Sequence, residues 1–460
     1  MARVAAVDLG ATSGRVCVVE VGSDTLTIEE VARFPNGPVT SPEGLTWPFE
    51  SLVAGVRDGL ARAQHQPLDG VGVDSWAVDY GRLDESGTLL ANPFSYRDSR
   101  TTDALDEVRS AGRLAEWWRL TGITPQPFNT VFQLRDDVRQ GRPLSRVSLI
   151  PDLVNHYLSG VDACEITNAS TTGLLGLDGQ WAESIFDGVG VSPGVFGPLV
   201  EPGTVLGRAR EPIPGVPVIA VASHDTASAV LAVPAHTSAF AFISCGTWSL
   251  VGMESERPYT SEPARLAGFT NERGVDGTTR FLHNVMGLWV LNECRREWAR
   301  AGLDLSTAEL GERAGRLERG SVIDINDPSL FAPGDMIERV TALCRASEQR
   351  EPTSPVEVAR VIFDSLAAAY AAAVERLEGL TGESVEVVHL VGGGSRSNLL
   401  AQLTADACGR DVVAGPSEAA VIGNALIQGA ALGELDGDRW AWRALVARQP
   451  EIRRFRPISG

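Results

Sequence analysis

Three short apolar runs, RVAAVDL (3–9), RVCVVEV (15–21) and residues 26–34, open the chain, each separated from the next by a glycine-containing turn. Period-two patterning bounded by glycine reads as β-strand, so the protein begins with an antiparallel meander. The period lengthens to that of a helix over FESLVAGVRDGLARAQ (49–64) and returns to a β-rich stretch at VGVDSWAVDYGRL (71–83). Residues 101–140 are helical and charged, and PDLVNHYLS (151–159) adds a short helix. The apolar run VPVIAVAS (216–223) predicts a buried strand that feeds a helix starting at DTASAVLAV.

At TSAFAFISCGTWSLVGME (237–254) the opening pattern recurs as a strand, a Gly/Thr/Ser turn and a strand. Helices are predicted at 285–300, 355–379, 398–408 and 418–433, and the strand EVVHLV (386–391) runs into Gly392, Gly393 and Gly394. Residues 301–350 carry no clear period. Two hairpin starts, each followed by alternating strands and helices, indicate a duplicated α/β unit with its boundary near Val233-Pro234-Ala235. A cleft between the halves is the natural ligand site.

At 460 residues and 43% hydrophobic content the chain can build more than one core. Its formal charge of −19 argues against nucleic acid or an anionic membrane as partner, because either needs a basic face. The six cysteines stand singly, with neither Cys-x-x-Cys nor a nearby histidine pair, so neither zinc nor a disulfide framework is signalled. Met1 leads directly into a strand and no run of about 18 apolar residues occurs. The expectation is a cytoplasmic protein with reduced, buried thiols.

The first turn, Gly10 to Arg15, lacks the lysine of a Walker loop and opens a strand, whereas a Rossmann loop opens a helix. It reads as a hairpin whose backbone N–H groups, with Thr12, Ser13 and Arg15, form a concavity for an anion; a plain glycine turn fits the stretch equally well. SCGTWSL (244–250) sets Ser244, Gly246 and Thr247 in the matching turn of the second half, and two facing hairpins can grip one polyphosphate. In HLVGGGSRSN (389–398) the glycine run admits a flat group, or is a tight strand-to-helix turn. Asp225 in SHDT stands where a strand ends and a helix begins, able either to act as a base kept ionised by the helix N-terminus or merely to cap that helix.

The blocks DLGATSGR, GVDSWAVDYG, YRDSRT, SHDTASAV, SCGTWSL, HNVMGLW and VGGGSRSN, in this order, resemble the FGGY family of carbohydrate kinases, within the actin/hexokinase/Hsp70 superfamily. The resemblance runs from about residue 2 to beyond 430. It implies an α/β protein with a duplicated actin-like (ribonuclease H-like) ATPase fold, two domains and a central cleft. Residues 1–234 would bind the sugar and supply the first phosphate loop, and residues 235–460 would bind the nucleotide. It implies transfer of phosphate from ATP, with Mg²⁺, to a small ketose, foremost L-rhamnulose at its 1-hydroxyl, with L-fuculose and xylulose as alternatives. A monomer or homodimer is expected. An ATP-driven chaperone or filament protein is the rival on the same fold, and the Asp225 and Trp76 blocks argue against it.

Residue by residue, the resemblance makes Asp225 the catalytic base, with His224 and Thr226 on sugar hydroxyls. Trp76, Ala77 and Asp79 furnish an apolar wall and hydrogen bonds, Ala77 standing where relatives often carry glycine. Asn284 falls on a substrate contact, although an Asn before an apolar helix is also an N-cap. Asp8 anchors the waters around Mg²⁺ or contacts the ion directly. Ala11, Thr12, Ser13, Gly14 and Arg15 hold phosphates, Gly246 and Thr247 meet them from the other half, and Gly393 and Gly394 line the adenine. Asn292 contacts the nucleotide at a position where glutamine is expected. Arg97, Asp98 and Arg100 read as a surface salt-bridge network or as a rim of the sugar pocket, the structural reading being preferred, and Met286 and Trp289 read as core.

Overall fold

A computed structural model describes residues 1–458; the last two residues of the expected C-terminal domain lie outside the described residues. The chain divides into two compact units. The first comprises Met1–Ala232, Ser255–Phe281 and Ala420–Val446, and the second Val233–Glu254, Leu282–Ala419 and Ala447–Gly460. The returning segments leave no mark in the sequence, because local periodicity carries no record of which core an element joins.

In the first unit β1 (Ala2–Leu9), β2 (Ser13–Gly22) and β3 (Thr25–Pro35) form the expected antiparallel meander. The strand Gly70–Ser75 lies parallel to β1, and Pro217–Ile219 lies parallel to Gly70–Ser75. Val205–Arg208 closes that edge antiparallel. The second unit repeats this plan. Phe240–Cys245 pairs antiparallel with Trp248–Ser255 and parallel with Val387–Val391, which is followed by parallel Asp411–Ala414 and antiparallel Arg453–Phe455. The duplication is therefore a repeat of strand pairings as well as of sequence pattern.

Helix Phe49–Ala63 forms because its apolar positions recur on one face, burying Phe49, Leu52, Val53, Val56 and Leu60. A Cβ on Gly59 would lie 2.4 Å from the Val16 side chain, so the helix sits close on β2. Each of its buried leucines and valines contributes roughly 1.5–3 kcal/mol. Residues 101–140 hold three helices, Thr102–Ser110, Leu114–Thr121 and Thr130–Arg139, and the second ends at Gly122 in the left-handed conformation (φ 71°). The stretch 301–350, which has no clear period, contains helices Thr307–Ala314 and Met336–Ala346.

Two boundaries differ from expectation. The strand predicted over 216–223 shortens to Pro217–Ile219; the residues after it make irregular hydrogen bonds, with Ser75 N–H donating to the Ser223 carbonyl at 2.9 Å. The helix predicted from 285 starts at Trp289, because Thr279–Met286 is a strand and Gly287 breaks from it. Asn284 thus lies within a strand and is not an N-cap.

The helix Asp225–Leu231 has seven residues, too short to persist on propensity alone. Buried Arg443 donates to the Val230 and Leu231 carbonyls (3.0 and 3.3 Å) at its C-terminal end. Helix Ala419–Ala431 lies so close that a Cβ on Gly423 would meet the Ser228 carbonyl oxygen at 1.9 Å. Gly423→Ala is therefore expected to lower stability by roughly 1–3 kcal/mol, since a backbone atom cannot rotate aside; urea unfolding measures the change.

Candidate functional site

In the first unit Asp8 near the end of β1 lies beside Asp74 of the parallel strand and opposite Arg15 of β2. Arg15 donates from Nε (2.8 Å) and a terminal nitrogen (2.5 Å) to the same Asp8 oxygen. Its guanidinium is thus committed to a carboxylate, where the sequence aims it at an anion. Asp74 is fully buried; one oxygen accepts from Asn424 at 2.7 Å and the other has no hydrogen-bond partner.

The turn itself is built from backbone. Gly10 N–H donates to the Ser13 carbonyl (3.0 Å), and Asn36 reaches across, its N–H to the Thr12 carbonyl (3.2 Å) and its side-chain amide to the Gly10 carbonyl (2.8 Å). Ala11 and Ser13 are half-buried and Thr12 is exposed. Gly14 is buried, and a Cβ there would collide with the Phe34 ring at 2.3 Å. Its small size serves core packing.

Asp225 is the first residue of its helix, and His224 occupies the N-cap. Burial lifts the Asp225 carboxyl above its ordinary range, with His224 opposing and Asp8 adding. The expected ionising pull of the helix terminus is outweighed. Thr226 Oγ1 donates to Asp225 Oδ1 at 3.1 Å, and His224 Nε2 lies 3.5 Å from that oxygen. On its other side the His224 ring meets Arg280 and Glu272, with Nδ1 3.2 Å from an Arg280 terminal nitrogen and 3.3 Å from Glu272 Oε2.

The loop Trp76–Asp79 is tightly constrained. Asp79 is buried and accepts from Trp47 Nε1 (2.7 Å), Trp76 Nε1 (3.0 Å), Gln133 Nε2 (2.9 Å) and Tyr96 N–H (3.1 Å). The two indole rings lie 4.3 Å apart, centroid to centroid. With four protein donors on it, the carboxylate braces the Trp47 and Trp76 indoles against each other. Ala77 is half-buried, and Val78 adopts φ 70°, a conformation costly for a β-branched residue. Thr130 Oγ1 and Gln133 Nε2 hold the Val78 carbonyl at 2.7 and 3.3 Å, which locks the strained turn.

In the second unit the Gly246-Thr247 turn is pinned to the start of helix Trp289–Arg300: Leu288 N–H donates to the Gly246 carbonyl and Trp289 N–H to that of Thr247 (3.0 and 3.2 Å). A Cβ on Gly287 would sit 2.6 Å from the Thr247 carbonyl oxygen, so only glycine fits there. Asn292 is half-buried in the first turn of that helix, while Asn284 is exposed on its strand. Gly392 takes φ 79°, Gly393 is exposed with open space beside it, and Gly394 packs where a Cβ would strike Cys245 Sγ at 2.2 Å. In the first unit Arg97 donates to Tyr96 Oη, Asp98 caps a short turn, and Arg100 pairs with Asp136 and Asp137, a structural network. Met286 and Trp289 are buried, as core residues should be.

Two family models match the chain: the N-terminal domain of the FGGY family of carbohydrate kinases over residues 4–232, and the C-terminal domain over residues 241–432. The chain belongs to the FGGY family of carbohydrate kinases. Similar proteins include the rhamnulokinase of Enterococcus faecalis, 40% identical over 443 residues (94% of this chain, 89% of that protein). The rhamnulokinase of Bacillus subtilis is 38% identical over 463 residues (98% and 95%). Among solved structures, ligand-bound xylulose kinase from Lactobacillus acidophilus superposes with TM-score 0.80 at 16% identity, covering 100% of this chain and 94% of that one. Plasmodium falciparum glycerol kinase with ADP gives 0.77 at 14% (99% and 94%). At such low identity these two show the fold alone.

In this FGGY kinase several residues around the site carry no sequence signal. Glu272, Arg280, Gln133, Trp47 and Asn36 reach the site residues from elements distant in sequence, and only tertiary contact reveals them. All six cysteines are free, five of them buried, and among the described residues no helix is long and apolar enough to cross a membrane.

Burial pushes the Asp79 carboxyl up to about 6, its four donors notwithstanding. A folded-state value above that of the unfolded chain favours the protonated native state, so this contribution to stability is fully present below about pH 4 and is lost as pH rises through about 6. Asp79→Asn removes this loss. Urea unfolding between pH 4 and 7 is expected to show the variant gaining on the wild type by about 2–3 kcal/mol across that range.

Proposed function

We propose that this kinase transfers the γ-phosphoryl group of ATP to the 1-hydroxyl of L-rhamnulose, with Asp225 as the general base. The observation that carries the substrate is the 38–40% identity to rhamnulokinases over 94–98% of the chain. Phosphoryl transfer asks the protein mainly for positioning and charge neutralisation, plus a group that receives the acceptor's proton. Asp225 meets that need: it is the first residue of a helix anchored at its far end by Arg443, and its raised pKa brings it closer to the operating pH. A deoxy sugar presents a methyl group beside its hydroxyls, and Trp76, braced from behind by the fully buried Trp47, is the apolar wall proposed for it. His224 and Thr226 are the polar side chains beside Asp225 for the sugar hydroxyls. Ala77 lies next to Trp76, and Asn284 is the sugar contact assigned to the other half.

The backbone of residues 11–15 and the Gly246-Thr247 turn are the proposed phosphate holders, with Asn292, Gly393 and Gly394 toward the rest of the nucleotide. Family membership implies ATP and with it a metal ion. The donor set fits Mg²⁺ held largely by phosphates and water: Asp8 supplies a hard oxygen, and a partnerless Asp74 oxygen stands on the neighbouring strand. When bound, the ion neutralises charge on the transferring phosphoryl group.

An ADP-release assay across L-rhamnulose, L-fuculose, xylulose and glycerol is expected to give the highest kcat/KM with L-rhamnulose; a clear preference for another acceptor refutes the substrate. Asp225→Asn is expected to cut kcat by about 10²–10⁴-fold with ATP affinity unchanged. Because protonated Asp225 cannot accept a proton, wild-type turnover is expected to fall as pH drops through a value above the ordinary aspartate range. Normal turnover by the variant removes the assignment.

A further inference from the structure

Beside the base, His224 is held by two charged residues that no sequence motif marks. Glu272 on strand Thr270–Arg273 and Arg280 on strand Thr279–Met286 belong to the same unit as His224. Arg280 is fully buried and its terminal nitrogen lies 3.2 Å from His224 Nδ1 in hydrogen-bonding geometry. Glu272 Oε2 stands 3.0 Å from the other terminal nitrogen of Arg280 and 3.3 Å from His224 Nδ1, aligned for a hydrogen bond with neither, whereas the Arg280 nitrogen at 3.2 Å is aligned with Nδ1. Burial works to raise the Glu272 carboxyl, but the Arg280 guanidinium opposes it and the carboxyl lies below its ordinary range. A buried guanidinium is costly without a counter-charge, and Glu272 supplies it.

From this arrangement we infer that Glu272 and Arg280 are positioning residues that fix His224 as the neutral tautomer carrying its proton on Nε2. A guanidinium has donors only, so an Nδ1 that faces it in a hydrogen bond must offer a lone pair. The ring proton then sits on Nε2, the nitrogen 3.5 Å from Asp225 Oδ1. The opposite tautomer would turn a lone pair toward that carboxylate. A further neighbour, Thr167 Oγ1, accepts from the His224 backbone N–H (3.3 Å) and makes no demand on the ring.

The consequence for Asp225 is orientation. Oδ1 takes the Thr226 hydroxyl and faces the His224 Nε2–H, which leaves Oδ2 to receive the acceptor's proton. As the sugar oxygen forms its bond to the γ-phosphorus, the bond from that phosphorus to the bridging oxygen of ADP breaks. The hydroxyl proton passes to Oδ2, so atoms and charge balance with ATP as the only co-substrate.

The inference rests on the reading of Asp225 as base, and two measurements separate them. In the full-length protein labelled with ¹⁵N-histidine, with the His224 signals assigned by comparison with His224→Gln, Nε2 is expected to be protonated and Nδ1 bare at pH 7–8. A proton on Nδ1, or on both nitrogens, overturns the inference whatever Asp225→Asn does. Arg280→Met is expected to lower kcat about tenfold to a hundredfold with KM for ATP unchanged, and Arg280→Lys to restore part of the loss. The double variant Glu272→Met/Arg280→Met, which leaves no unpaired buried charge, guards against misfolding and is expected to share the kcat defect. An unchanged kcat in the folded double variant, or a loss that extends equally to KM for ATP, overturns the positioning role. If Asp225→Asn turns over normally while the Nε2–H tautomer is found, the base assignment alone fails.

Discussion

Burying a carboxylate is costly unless donors or a cation meet it, and the first unit is organised around satisfying that requirement several times over. Asp8 takes Arg15, Asp79 takes two indoles, an amide and a backbone N–H, and Glu272 takes Arg280. Glu165 is the most heavily bonded of these: its side chain accepts from the Thr167 N–H and hydroxyl, the Asn168 N–H, and the N–H and hydroxyl of Ser223. Ser223 precedes His224 and Asp225, so the buried Glu165 sets where those two residues begin. Each acid locks elements that are far apart in sequence, because its donors must come from several directions at once.

This requirement also explains why an unstrained loop does not suffice at Trp76–Asp79. To bring Asp79 under both indoles the chain turns sharply, and Val78 takes φ 70°. The strain is held by hydrogen bonds from Thr130 and Gln133 to the Val78 carbonyl, and Gln133 also bonds Asp79. One helix, Thr130–Arg139, therefore supports both the strained turn and the carboxylate that motivates it.

Glycine has a different meaning at each turn of the two hairpins and the third loop. Gly14 makes room for the Phe34 ring, Gly287 for the Gly246-Thr247 backbone, and Gly394 for Cys245, whereas Gly392 is required by its left-handed φ. Tyr370 ties the second hairpin from within, its hydroxyl 2.6 Å from Ser249 Oγ and 3.4 Å from Cys245 Sγ. Most of these glycines clear space for the protein's own atoms.

Hairpin, helix and repeat are legible in residues 3–34 and 237–254 because period-two patterning and turn glycines are local properties, and the Asp225 block is legible because motif order is written along the chain. What lies beyond local reading is which residues meet. Sequence alone aims Arg15 at an anion, yet register places it across from Asp8; it sets Asn284 at a helix start, yet Gly287 and the hydrogen bonds of residues 288 and 289 put the helix farther on. Glu272 and Arg280, some fifty residues from His224, carry no signal at all. Sequence determines the elements because propensity and periodicity act over a few residues, whereas the partner of a buried charge is chosen by three-dimensional packing, and only the folded chain decides it.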